Sequence, residues 1–300
     1  MSLAVSFRPV PKLSARARVA VIAPAGPFDR ASFEKGLGLV GARYSPVVDP
    51  GIFSAHRYLA GDDARRLSEL RVATAADGIF CARGGYGVHR LLPALKAQDV
   101  KPQPLVGFSD ITALHALWQC AGYRSLHAPV LTQLGNQPPD VVERLFATLE
   151  SERPPAPLLG TGAIGAGAVE GPLLGGNLSV FTRLIGTPFM PPLDGAVLLI
   201  EDVGERPYRL DRMFMHLRLA GITTQVAGFA LGEFTGCEEK DAPYSAADVL
   251  SELIAQTGKP CVFGLPIGHG AVNQPVPLGA RVRLDTAGRR LEFLEGLVTP

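Results

Sequence analysis

Along the first half of the chain, short apolar runs rich in β-branched residues alternate with longer segments in which apolar residues recur every three or four positions. Residues 17–23 form one such run and stop at Pro24-Ala25-Gly26-Pro27, as a buried parallel strand does where it meets a loop. The pattern then predicts a helix over 31–40, a strand over 44–48, a charged helix over 62–74 and a strand over 78–82. Beyond Gly84-Gly85-Tyr86-Gly87 it predicts a helix over 88–96, a strand over 104–107 and a helix over 110–121. In that last helix Ile111, Leu114, Leu117 and Trp118 share a face, and Gly122 supplies a stop. Repeated β-α-β units of this kind build a mainly parallel sheet.

From 151 to 168 the alternation breaks into Pro, Gly and small residues, and we expect a linker there. It would separate an N-terminal α/β domain over 1–150 from a more β-rich C-terminal domain over 169–300. In the latter, strands are expected at 196–200, 225–231, 261–264 and 281–284, with helices over 210–220 and 246–257. A length of 300 residues agrees with two domains, since single cores stop growing near that size.

Composition narrows the function classes. With 47% hydrophobic and 19% charged residues the chain can bury a large core. A net charge of +1 gives no electrostatic reason to expect nucleic acid or an anionic membrane as partner. Cys81, Cys120, Cys237 and Cys261 are scattered, so neither a disulfide framework nor a zinc site is indicated. The apolar runs are strand-length and no leader pattern is apparent, which leads us to expect a cytoplasmic protein. The 34 glycines and 26 prolines mark a chain unusually rich in turns.

Four places could carry chemistry. At Gly107-Phe108-Ser109-Asp110 an apolar strand turns abruptly into a helix with a serine at the corner, which would project the hydroxyl beside the first helical N–H groups. The G-x-S-x-G elbow is not met, because Ile111 stands in place of the second glycine, and Ser109 could equally cap the helix. Arg83-Gly84-Gly85-Tyr86-Gly87 ends the preceding strand, where a backbone amide could face Ser109; a tight turn is the plain alternative, and no phosphate-loop pattern is present. Glu201 follows an apolar strand directly, with Asp202 and Glu205 as competitors; beside Arg206, Arg209 and Arg212 it could be an ordinary surface ion pair. His269 differs from His56, His89, His115, His127 and His216 because it sits between Gly268 and Gly270 in a loop after a strand, free to reach across an interface. Ser109, Glu201 and His269 thus supply a nucleophile, an acid and a base, although chain order alone does not establish a triad.

These motifs, taken together and in order, resemble those of the serine LD-carboxypeptidases: Arg83-Gly84-Gly85-Tyr86-Gly87, Gly107-Phe108-Ser109-Asp110, Gly175-Gly176-Asn177-Leu178, Ile200-Glu201-Asp202-Val203, Tyr208-Arg209-Leu210-Asp211-Arg212, and Gly264 to His269. The resemblance covers nearly the whole chain, leaving aside residues 1–11. It implies a flavodoxin-like doubly wound N-terminal domain, a β-rich α/β C-terminal domain and an active site at their interface. It further implies Ser109 as nucleophile, His269 as general acid and base, Glu201 as the acid orienting the imidazole, and the amides of Gly85 and Asp110 as the oxyanion hole. The substrate implied is a murein tetrapeptide, cleaved at the L,D-bond to its terminal D-alanine, with no metal or cofactor and a homodimer as the usual form. Arg83, with Gly84 beside it, is a candidate to meet the substrate carboxylate, an internal salt bridge being the alternative. Two other readings remain open at this point: an immunity peptidase acting on a peptide-nucleotide antibiotic, and a two-domain small-molecule binding protein without catalysis.

Overall fold

The computed structural model describes residues 6–299; residues 1–5 and residue 300, at the outer ends of the two expected domains, lie outside the described residues. In chain order the first part runs β1 (Val10–Pro11), β2 (Arg18–Ile22), α1 (Arg30–Arg43), β3 (Ser45–Val48), α2 (Asp63–Ala73), β4 (Gly78–Cys81), β5 (Leu105–Gly107), α3 (Thr112–Cys120), β6 (Ser125–His127), α4 (Leu131–Leu134) and α5 (Pro139–Glu150). The second part runs β7 (Leu158–Leu159), β8 (Gly162–Ile164), β9 (Ala168–Asn177), α6 (Leu178–Thr182), β10 (Val197–Val203), α7 (Pro207–Leu219), α8 (Ile222–Gln225), β11 (Gly228–Thr235), α9 (Ala246–Ala255), β12 (Cys261–Phe263), β13 (Val276–Leu278), β14 (Arg281–Asp285), β15 (Arg290–Phe293) and β16 (Val298–Thr299).

Strands β3-β2-β4-β5-β6 form a parallel sheet in flavodoxin-like order, with the apolar runs of β2, β4, β5 and β6 buried and the edge strand β3 partly exposed. The helices start where carboxylates can meet free N–H groups: Asp29 accepts from the Ser32 amide ahead of α1, and Asp62 from the Arg65 amide ahead of α2. In α3 the shared apolar face is buried as expected, and Trp118 Nε1 donates to the Gln103 carbonyl at 3.1 Å. The second sheet has the order β7-β15-β14-β9-β10-β11-β12-β8, parallel in its centre and antiparallel towards both edges. One apolar cluster joins the sheets, running from Ile22, Cys81 and Leu105 through Leu114 and Trp118 to Leu174, Ile200 and Phe214.

One expectation is corrected, and two observations bear on where the expected domain limits fall. No α-helix spans 88–96; two short 3-10 turns, Val88–Arg90 and Leu92–Ala94, stand there, because Pro93 has no N–H to continue the α-helical ladder. The stretch expected as a linker, 151–168, carries β7 and β8, which form the two edges of the second sheet. An edge strand needs a partner on one side only, so its Gly-rich, short sequence is tolerated. Residues 169–300 do not stay with one sheet: β13 pairs antiparallel with β6 and completes the first sheet, while β16 pairs with β1. Among the described residues, no helix is long and apolar enough to cross a membrane.

Candidate active site

At the carboxyl end of β5 the chain turns through Phe108 into a single 3-10 turn, Ser109–Ile111, and then into α3. Ser109 holds a φ of 65°, a left-handed conformation that a non-glycine residue adopts at a cost and only where the surroundings enforce it. Its hydroxyl does not cap the helix. It donates instead to Nε2 of His269, 3.0 Å away. The strained corner therefore points the side chain out of the sheet and across to the second one.

Glu201 lies in β10, fully buried, and its register partner is Asn177 of β9. Its Oε2 accepts from Nδ1 of His269 at 2.6 Å, while Oε1 has no hydrogen-bond partner among the described residues. A carboxylate can only accept, so the imidazole carries its proton on Nδ1 and leaves Nε2 to receive the serine proton. The loop carrying His269 passes close over this acid: a Cβ placed on Gly268 would stand 2.5 Å from Glu201 Oε2. Asn273 braces the loop by accepting from the Gly268 amide at 2.9 Å, and its own amide donates to Gln137 of the first part at 3.0 Å. The Phe108 ring packs against the His269 ring with centroids 4.7 Å apart, so the imidazole is held at its edges and on one face.

Residues 83–87 border the serine. Gly84 has no space for a side chain, since a Cβ there would stand 2.7 Å from Ser109 Cβ. The amides of Gly85 and Asp110 are engaged by no backbone carbonyl among the described residues, Asp110 because it opens a helix whose first N–H groups have no internal acceptor. Both amides thus remain available to a ligand at the corner bordered by residues 83–87 and Ser109. Arg83 makes no salt bridge among the described residues; its guanidinium donates to the Pro27 carbonyl and remains exposed. Next to it, the exposed rings of Tyr58 and Tyr86 pair with centroids 5.8 Å apart.

The competitors of Glu201 face elsewhere. Asp202 accepts from Asn177 Nδ2 at 3.1 Å and from the Ser179 amide at 2.9 Å, and burial pushes its carboxyl up to about 6. Glu205 pairs with Arg209. Beneath Ser109, His115 bridges the Gly107 carbonyl and Ser125, and burial holds it down to about 4. Burial, with His115 and His269 nearby, likewise keeps His127 well below the ordinary imidazole range.

Sequence reasoning gave no role to Asn177, Thr112, Asn273 or Phe108. The Asn177 amide donates to Thr112 Oγ1 at 3.0 Å, which ties the helix after the nucleophile to the strand beside the acid. The Gly175-Gly176-Asn177 motif was the available signal for that seam, and Phe108 was readable only as part of the turn. A recess of about 590 Å³ lies elsewhere, along α7 between Arg183, Tyr208, Arg212 and Leu219, and contains none of the three converging side chains. Among the described residues, no three His, Cys, Asp or Glu side chains are grouped so as to hold a metal ion.

This arrangement, a hydroxyl, imidazole and carboxylate in one hydrogen-bonded row beside free amides, can support acyl transfer through a serine ester. Residues 19–128 match the family model described as the LD-carboxypeptidase N-terminal domain, and residues 170–284 match that of the LD-carboxypeptidase C-terminal domain. The murein tetrapeptide carboxypeptidase of Pseudomonas aeruginosa is 34% identical over 92% of this chain and 95% of its own. The crystal structure of muramoyltetrapeptide carboxypeptidase from Oxalobacter formigenes superposes with a TM-score of 0.83 at 27% identity, covering 94% of this chain and all of the other. The microcin C7 self-immunity protein of Escherichia coli is more distant, at 25% identity over 87% of this chain and 85% of its own.

Proposed function

The chain belongs to the LD-carboxypeptidase family, and from that premise we propose that it is a serine hydrolase that removes the terminal D-alanine from murein tetrapeptides in the cytoplasm, as part of cell-wall recycling. The observation that carries this reading is the row Ser109 Oγ to His269 Nε2 at 3.0 Å and His269 Nδ1 to Glu201 Oε2 at 2.6 Å.

In the proposed reaction His269 Nε2 takes the Ser109 proton as Oγ attacks the carbonyl carbon of the L,D-peptide bond. On this reading the oxyanion that forms is met by the Gly85 and Asp110 amides, which no backbone carbonyl engages among the described residues. His269 then gives its proton to the departing D-alanine nitrogen, the C–N bond breaks, and an ester to Ser109 remains. Water, deprotonated by the same imidazole, attacks the ester and restores the hydroxyl. Glu201 acts throughout by fixing the tautomer and by stabilising the imidazolium. Arg83 could meet the free carboxylate of D-alanine after releasing the Pro27 carbonyl, and Gly84 keeps the wall beside the nucleophile low enough for the substrate. A homodimer is part of this reading, and light scattering checks it.

Mass spectrometry of a murein tetrapeptide incubated with the protein tests the proposal. Wild type should release D-alanine and Ser109→Ala should not. Release by both would remove Ser109 from its role, and release by neither would remove the substrate. One feature favours a second reading, an immunity peptidase: the exposed Tyr58–Tyr86 pair beside residues 83–87 could stack on a nucleobase. Cleavage of a peptide-nucleotide antibiotic but not of the tetrapeptide in the same assay would favour it.

A further inference from the structure

Arg66 is a fully buried arginine in the middle of α2. A guanidinium taken out of water is costly unless acceptors surround it, and replacing such a group by an apolar one is often neutral or stabilising. Two of its acceptors here belong to loops at the carboxyl ends of β2 and β4, strands that pair directly, and the third is in α2 itself. Nη1 donates to the Pro24 carbonyl at 2.5 Å and to the Gly87 carbonyl at 2.9 Å, and Nη2 donates to Asp63. Asp63 is itself gripped by Arg90, whose Nη2 stands 2.6 Å from Oδ2.

From the opposite side comes Asp110, the residue after the serine, buried to 1% exposure. Its Oδ2 accepts from the Val88 amide at 2.9 Å. Burial pushes this carboxyl up to about 6, against the pull of the Val88 amide, the Arg66 charge and the Gly87 amide. The two loops are also joined to each other, because the Gly26 amide donates to the Gly84 carbonyl at 3.1 Å. Residues 84–88 are therefore pinned at the Gly84 carbonyl, the Gly87 carbonyl and the Val88 amide, and Gly85, with its free amide, lies between the pins.

We propose that Arg66, acting with the Asp110 side chain, is a positioning residue that fixes residues 84–88 so that the Gly85 amide points at the oxyanion. The inference rests on the serine-hydrolase reading above. Removing one oxyanion donor costs about 10²–10³ in rate in well-studied hydrolases, and a loop allowed to drift should lose about 10²-fold. The expected result for Arg66→Met is a kcat lower by about 10²-fold with KM within about threefold of wild type, since the lost interaction is made only in the transition state. Arg66→Lys, which retains the charge and one donor direction, should recover part of the loss.

Reaction with a fluorophosphonate gives a readout that does not depend on the peptide: Ser109 Oγ attacks phosphorus, fluoride leaves, the hydroxyl proton passes to His269, and the adduct's oxygen uses the same amides. Arg66→Met should be labelled about 10²-fold more slowly than wild type. Unchanged labelling and kcat in a folded Arg66→Met protein would overturn the proposal. Should Arg66→Met fail to fold, Asp110→Ala takes its place; it keeps the backbone amide but removes the acceptor of the Val88 amide, and it must slow labelling for the proposal to stand. Wild type that is not labelled at Ser109 would overturn the serine reading and this inference with it. Wild type labelled in an Arg66-dependent way but releasing no D-alanine would overturn the substrate alone.

Discussion

Ser109 and His269 arrive at one hydrogen bond from halves of the molecule that are built differently. On the first sheet the main chain fixes the geometry: Ser109 is held at a φ of 65°, and Gly84 leaves no room beside it for a methyl group. On the second sheet it is side chains that do so. Glu201 is set by strand register, His269 is set by Glu201, and the loop that carries His269 is braced by Asn273. Errors should therefore spread differently. A change on the first sheet displaces a reacting atom, whereas a change on the second alters which imidazole nitrogen holds the proton.

The largest expected effect would break this comparison altogether. If the two halves act as one unit, Ser109→Ala and His269→Ala should each lower kcat for D-alanine release by about 10⁵–10⁶-fold, and the double variant should be no worse than either. Additive losses would mean that the halves act separately. Glu201→Gln should cost about 10⁴-fold in kcat, because an amide can donate to Nδ1 and stabilise the wrong tautomer. A loss of tenfold or less would show that the buried acid does not set the imidazole.

Folding stability adds two opposed pH dependences, from His115 in the first half and Asp202 in the second, with Asp110 of the first half shifted in the same sense as Asp202. His115, beneath the serine corner, is held down to about 4 from 6.5, so its contribution is fully present above pH 6.5 and is lost as pH falls towards 4. That loss amounts to about 3 kcal/mol, and His115→Gln should remove this part of the acid destabilisation in urea melts at pH 7 and pH 4. Asp202, beside Glu201, is displaced in the other direction, from 3.8 up to about 6. Its contribution is present below about pH 4 and is lost as pH rises through 6, so Asp202→Asn should flatten the curve in the opposite sense. The smallest effect lies at the seam: Thr112→Val removes the hydroxyl that accepts from the Asn177 amide and should cost about 1 kcal/mol in the same melts.

How much of this could be read from the sequence follows the same division. The alternation of strand and helix was plain where apolar runs were long and β-branched, as in β2 and β4. It failed at 88–96, where the apolar spacing suggested a helix that Pro93 forbids. It was silent in 151–168, where edge strands carry too few apolar residues to register as strands. Ser109, Glu201 and His269 were singled out by the turn, the strand end and the glycine-flanked loop around them. What no local pattern could reveal were contacts made at long range, such as Arg66 beneath Gly87 or Asn177 against Thr112. In sequence Arg66 reads as one more charge on an amphipathic helix, and only the fold removes it from water.

The return of β13 to the edge of the first sheet bears on the order in which the protein is made. Strand β6 cannot gain its outer partner until residues 276–278 have left the ribosome, roughly half the chain later. A nascent chain halted before His269 carries the serine corner and Glu201 but not the imidazole that joins them. Contacts so distant along the chain form late in folding. Under the serine-hydrolase proposal, hydrolytic competence would therefore wait for the second half of the polypeptide, which supplies both Glu201 and His269.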